Sequence, residues 1–315
     1  MDFTRTEAAQ DLSGLVGTIV DAVCTPQHQR ELDGLEQRFD TALWGKLIDA
    51  DILSTAAPES VGGGGFGVLE QTAILAALGR GLAAAPYLES VILAAGALAR
   101  FGTPELREQW AGPAVAGEKI LTVALDGEFG QGPVQATAAG AGFRLTGNRT
   151  QVPFGPVADA FLVPAETDSG TKVFLVAAGD PGVSVTPLLT TGKNSSGELD
   201  LSGVEVGTDR IVGDADVLAW LTTHKTLGLT AFQLGVLERA LELTAEYART
   251  REQFPLSRQP SSKSEPRRCF IDPRQGRGPQ VRLLEYLPPR RAALARTAHA
   301  VFRAGGNNNV TASTQ

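Results

Sequence analysis

Apolar positions change their spacing twice along the chain. From about residue 5 to residue 119 they recur at helical intervals. In WGKLIDADIL, Leu43, Leu47 and Ala50 fall near one face, and the alanine-rich stretches LEQTAILAALGRGLAAA and ESVILAAGALARFG favour helix because alanine loses no side-chain entropy there. Between about 120 and 215 the spacing shortens. KILTVAL, FRLTGNRTQV, DAFLVPA, KVFLVAAG and ELDLSGVEV are short β-rich runs separated by Gly, Asp, Pro and Asn, which predicts a compact antiparallel β domain. Near residue 220 the helical interval returns. Leu237, Leu241, Thr244, Ala245 and Ala248 stand at i, i+4, i+7, i+8 and i+11, predicting a helix over roughly 228–253. The expected fold class is therefore α+β: an N-terminal helical domain over 1–119, a middle β domain over 120–215, the start of a C-terminal helical domain over 216–254, and a tail over 255–315.

Composition sharpens this division. With 315 residues and 43% hydrophobic content the chain can bury a sizeable core. Gly, Pro, Arg or Glu interrupts every apolar run before the roughly 18 residues a membrane helix needs, so no membrane span is expected. The opening MDFTRTEAAQDLSG has acids and neither a basic leader nor an apolar stretch, so the expected location is cytoplasmic. Cys24 and Cys269 are too remote to suggest a disulfide framework or a metal pair, and His28, His224 and His299 have no Cys or acid at ligand spacing; no metal site is expected. Ser13 and Ser54 lie outside any nucleophile-elbow pattern. The net charge of −7 is uneven: residues 255–315 hold 11 of the 28 basic and 3 of the 35 acidic residues, a net +8, leaving −15 for the body. An acidic body does not suggest nucleic-acid binding. The tail is rich in Pro, Ser and Arg, with ten Arg to one Lys, the composition expected of an out-of-frame reading of a G+C-rich gene, and it is expected to pack poorly.

Four segments carry the functional reading. The first is WGKLIDADILSTAAPESVGGGGFG, in which a Trp-containing helix leads into a turn of Pro58, Glu59, Gly62, Gly63 and Gly65. Gly62, Gly64 and Gly67 also satisfy G-x-G-x-x-G, but an amphipathic helix rather than a strand precedes them, so a turn needing positive φ is expected instead of a dinucleotide cradle. The second is FGTPELREQWAGPAVAGEKILTVAL, with Gly102, Gly117 and Glu118. The third is GFRLTGNRTQVPFGPVADAFLVPA, with Gly147, Arg149, Ala158 and Asp159, and the fourth is YARTREQF, from Tyr247 to Phe254. In this order, over about 250 residues, they resemble the acyl-CoA dehydrogenase family. The resemblance stops after Phe254, where the family has Gly and this chain has Pro255.

The resemblance implies an FAD-dependent oxidoreductase of lipid metabolism, of the fatty acid β-oxidation or steroid side-chain type. Such an enzyme removes the α-proton of an acyl-CoA with a glutamate while a β-hydride passes to the flavin. It implies acyl-CoA as substrate, electron-transfer flavoprotein as acceptor, and an oligomer with another acyl-CoA dehydrogenase subunit. Flavin contacts would come from Leu125 and Asp126 through the backbone, and from Arg251 toward the flavin diphosphate of a neighbouring subunit. The chain departs from the family at two flavin contacts. The family's hydroxyl-bearing Thr-Glu-Pro-Gly-x-Gly-Ser loop becomes Asp126, Gly127, Glu128, Phe129, Gly130, Gln131 and Gly132, and Trp-Ile-Thr becomes Gln151, Val152 and Pro153. The base lies in the part of the family that the tail replaces, so no catalytic residue is assigned; Glu265 and Glu285 have no matching neighbours. Three readings stay open: a subunit active beside a complete partner, an inactive remnant, and a non-enzymatic acyl-CoA-binding module.

Overall fold

The computed structural model describes residues 6–127 and 131–250. Its helical part opens at Thr6, whose hydroxyl caps α1 (Glu7–Val23) by accepting from the Ala9 amide at 3.0 Å. Thr25 and Asp40 cap α2 (Pro26–Leu32) and α3 (Thr41–Asp49) in the same way. After α4 (Ile52–Thr55), the glycine-rich segment turns with Gly62 at φ +83° and Gly65 at φ +75°, a backbone that favours glycine. A 3-10 turn over Glu59–Val61 precedes it and α5 (Val68–Arg80) follows, so the strand that a dinucleotide cradle requires is missing. Tyr87–Ala95 winds as a π-helix, continued by α6 (Gly96–Phe101), α7 (Pro104–Leu106), a second π-helical turn at Arg107–Ala111, and α8 (Gly112–Val115).

The β part forms one mixed sheet: β1 (Leu121–Val123), β2 (Val134–Ala139), β3 (Gly142–Pro153), β4 (Ala160–Thr167), β5 (Gly170–Ala177), β6 (Val183–Pro187), β7 (Ser196–Gly207) and β8 (Ile211–Asp214). The spatial order is β6-β7-β3-β2-β4-β5-β8, with β1 also on β4. The expectation of a purely antiparallel domain is corrected here, since β1 and β2 both run parallel to β4. Parallel neighbours need a crossover, and the β2–β3 hairpin with the 3-10 turn Gly155–Val157 supplies it. Turn residues between short runs look alike whether the next strand pairs locally or returns beyond a hairpin.

Two cores meet at β4. Ala160 and Leu162 face the helices together with Leu121 and Val123, whereas Phe161, Val163 and Ala165 face a second core with Leu145, Phe174 and Leu201. Burial on both faces explains the unbroken apolar run DAFLVPA.

Helix α9 (Ala215–Thr250) begins well before the predicted 228. Its first turns contain Thr222, Thr223 and Thr226, which obscure the periodicity, but packing holds them: Val217 and Leu221 are buried and Trp220 meets Phe101 edge-on at 6.1 Å. The hydroxyls of the three threonines donate to carbonyls four residues back. Among the described residues no helix is long and apolar enough to cross a membrane.

Candidate functional site

The site grows from an interruption in the sheet. Leu121, Thr122 and Val123 pair with Ala160, Phe161 and Leu162, and Val134 and Gln135 pair with Ala165 and Glu166. Both segments thus lie on the same edge of β4, and the ten residues 124–133 intervene where β4 advances by only two, Val163 and Pro164. The chain is anchored on either side of this excursion. On the outgoing side the Ala124 amide donates to the Leu162 carbonyl at 2.9 Å, and half-buried Leu125 packs on the helical core. On the returning side the Arg149 guanidinium donates to the carbonyls of Gly132 and Asn148, each at 3.0 Å. Arg149 is buried, its pKa is lowered by desolvation, and carbonyl dipoles rather than a carboxylate hold it among the described residues.

Asp126 leaves the outgoing leg toward α9, where its carboxylate pairs with the Lys225 ammonium. The Lys225 side chain is 20% exposed and that of Asp126 is 50% exposed, so the pair sits at the surface. Glu89 lies in the first turn of the π-helix. Burial pushes its carboxyl up to about 7, a bond to its own backbone amide pulls it down, and Lys225 is the charge that opposes the rise. Ser90 fixes this turn to the sheet by accepting from the Leu121 amide at 3.0 Å. Asp126 and Lys225 thus come from two elements to one ion pair, and the Lys225 charge also acts on Glu89 on a third.

The neighbouring wall is Gln151, Val152 and Pro153. Gln151 is exposed at φ +58°, Val152 is buried, and Pro153 brings no N–H while its carbonyl accepts from the Thr122 hydroxyl at 2.6 Å. Phe154, also at positive φ, meets Phe39 edge-on at 6.3 Å.

The structure therefore places Leu125 and Asp126 together on the outgoing leg; Arg251 lies outside the described residues, as does the whole tail. Sequence reasoning missed Glu89 and Lys225. Glu89 did carry a signal, being a lone acid inside the apolar run PYLESVILAAGALA. Lys225 carried none, because its partner lies 99 residues away. The two described histidines have structural company: His28 Nε2 is 2.8 Å from Asp40 Oδ2, and His224 stacks on Trp220 with centroids 3.8 Å apart; His299 lies outside the described residues. Among the described residues no three His, Cys, Asp or Glu side chains gather as a metal site would require.

Comparison with known proteins places this geometry among relatives. Residues 6–118 match the family model "Acyl-CoA dehydrogenase, N-terminal domain". The chain is 73% identical over 254 residues to acyl-CoA dehydrogenase FadE27 of Mycobacterium tuberculosis, covering 81% of this chain and 68% of that protein. It superposes with a TM-score of 0.80 and 73% identity on a chain of the ChsE4-ChsE5 complex from Mycobacterium tuberculosis, covering 81% of this chain and 70% of that one. A variant of the Tcur3481-Tcur3483 steroid ACAD follows at 34% identity and a TM-score of 0.74, with 80% and 69% covered.

Proposed function

The chain belongs to the acyl-CoA dehydrogenase family, and from that premise we propose that it serves as a partner-dependent subunit of a flavin-dependent dehydrogenase desaturating an acyl-CoA thioester between Cα and Cβ. The observation that carries the partner dependence is the chemistry of the excursion between β1 and β2 and of the neighbouring Pro153. Of the described residues on the excursion, Asp126, Gly127, Gln131 and Gly132 present no hydroxyl; the Asp126 carboxylate is engaged by Lys225; and Pro153 lacks an N–H. These residues do not make a complete seat for FAD. Leu125 and Asp126 can offer backbone contacts, and Arg251 the guanidinium toward a neighbouring subunit's diphosphate, so one wall comes from this chain and the rest from a second subunit.

The likeness to a steroid ACAD supports a steroid side-chain thioester as substrate, and the likeness to a chain of the ChsE4-ChsE5 complex supports a second subunit as partner; electron-transfer flavoprotein as acceptor and a cytoplasmic setting belong to the same reading. Dehydrogenation requires a base, the thioester and the acceptor held together, and a displacement of about 1 Å costs roughly a hundredfold in rate. The rival reading, a non-enzymatic acyl-CoA-binding subunit, gains from the absence of any assignable base among the described residues. Co-purification decides between them. With its partner subunit the complex should retain FAD and, mixed anaerobically with steroid side-chain acyl-CoA thioesters, bleach it while forming enoyl-CoA. The chain alone should do neither. Bleaching by the chain alone at about 1–10³ per second would overturn the partner dependence, and a complex that binds thioester without bleaching would favour the rival.

A further inference from the structure

We propose that Asn148 is a positioning residue for the wall this chain offers to flavin: its carboxamide links Glu198 of β7 to Gln131 and so fixes the leg of chain that returns to β2. What the leg is used for rests on the reading above; the link itself rests on geometry. Asn148 pairs with Asp200, so Glu198, two residues along β7, is its diagonal neighbour on the same face and within reach of a polar side chain. Asn148 Nδ2 donates to Glu198 Oε1 at 3.0 Å, and Asn148 Oδ1 accepts from Gln131 Nε2 at 2.5 Å. The direction of the chain of bonds is set from one end. An ionised carboxylate only accepts, so Asn148 turns its amino group to Glu198 and its oxygen to Gln131.

Two further contacts complete the hold. Arg149 Nη1 donates to the Gly132 and Asn148 carbonyls, so successive residues of β3 hold successive residues of the leg: Asn148 takes Gln131 and Arg149 takes Gly132. Gln131 also reaches the outgoing leg. A Cβ on Gly127 would collide with Gln131 Oε1, so the carboxamide lies against the bare face of Gly127 and spans the neck between the two legs. The consequence is a wall set before any cofactor arrives. Chain that is already ordered loses little freedom on binding, so Asn148 contributes to flavin affinity without touching flavin.

The test pairs amide NMR of the ¹⁵N-labelled full chain with flavin release from its complex with the partner subunit. Asn148→Asp keeps an acceptor for Gln131 but sets two carboxylates against each other. It should raise the fast-timescale mobility of the Gln131 and Gly132 amides and speed flavin release roughly tenfold. Adding Glu198→Gln restores a donor to that contact, and the double variant should recover both the order of the leg and the slow release. Gly127→Ala, at an exposed position, gives an independent arm should Asn148→Asp fail to fold. Its added carbon displaces the Gln131 carboxamide, so it should loosen Gly132 in the unaltered chain and add nothing in a Gln131→Ala background. The proposal is overturned by an ordered leg in Asn148→Asp, by a folded double variant without recovery, by additive effects of Gly127→Ala and Gln131→Ala, or by a loosened leg with unchanged flavin release. Flavin uptake by the unaltered complex separates the two ideas. A complex that takes up none counts against the proposed function, and the order of the leg then decides by itself whether Asn148 positions it.

Discussion

Tyr87 is fully buried, and its hydroxyl has no hydrogen-bond partner among the described residues. An unpaired buried hydroxyl costs more than it returns, so Tyr87→Phe should stabilise the chain by about 1 kcal/mol, read as a higher urea midpoint with an unchanged slope. Asp40 presents the opposite case. At 1% exposure it caps α3 through the Leu43 amide at 2.9 Å and also holds His28, so Asp40→Ala should cost about 1–2 kcal/mol, a melting shift of roughly 2–8 °C for a chain this size. Glu89 supplies a pH dependence whose sign follows from its raised pKa. The folded chain retains the Glu89 proton up to about 7, whereas the unfolded chain releases it near the ordinary carboxylate value of about 4.3. Between those values the native state binds more protons, so stability falls as pH rises through the window, and above about 7 the ionised, half-buried carboxyl is a standing cost. Glu89→Gln should therefore leave melting unchanged near pH 4 and raise it at pH 8 by the equivalent of about 1–3 kcal/mol.

At the scale of elements, the crossing of α5 and α9 depends on two glycines. A Cβ on Gly79 would stand 2.0 Å from the Phe232 carbonyl oxygen, and one on Gly235 would stand 1.9 Å from that of Ala76. Backbone touches backbone at both points, and neither atom can rotate away. Gly235→Val should cost about 3 kcal/mol or more and lower the denaturation midpoint accordingly, with Gly235→Ala close behind. This crossing also marks the boundary of what the sequence could tell. Helix existence was legible from about 5 to 119 and from about 228 onward because propensity and spacing agreed there. The start of α9 was hidden because Thr222, Thr223 and Thr226 are poor helix formers rescued by packing. The β runs were legible as strands, since their β-branched residues fit a pleated surface, yet the direction of β1 and β2 relative to β4 depends on connectivity that no local pattern encodes. The site divided in the same way. Asp126 was found through a linear motif, whereas the ammonium that meets it was not, because pairing across 99 residues exists only once the chain has folded.

For the molecule as a whole, the uncovered side of α9 sets the behaviour of the isolated chain. Leu229, Leu237 and Leu243 are about half exposed, and uncovered apolar surface carries a penalty of about 25 cal/mol per Å². Replacing these three leucines with Gln should lower self-association of the purified chain, measured by sedimentation velocity at matched concentration. Undiminished association would place the sticky surface elsewhere. The arrangement of β1 and β2 on one edge of β4 has a consequence of another kind. Both ends of the intervening ten residues are clamped to neighbouring positions of a single strand, so the sheet does not measure how long the connection is or what it contains. Closing a longer connection costs little, since each doubling of length adds only about 0.6 kcal/mol. Residues can be exchanged, gained or lost between Val123 and Val134 while strand registration persists on either side. The chemistry carried at this mouth can thus change without changing the scaffold, so a subunit can give up cofactor-binding groups there and keep a family fold.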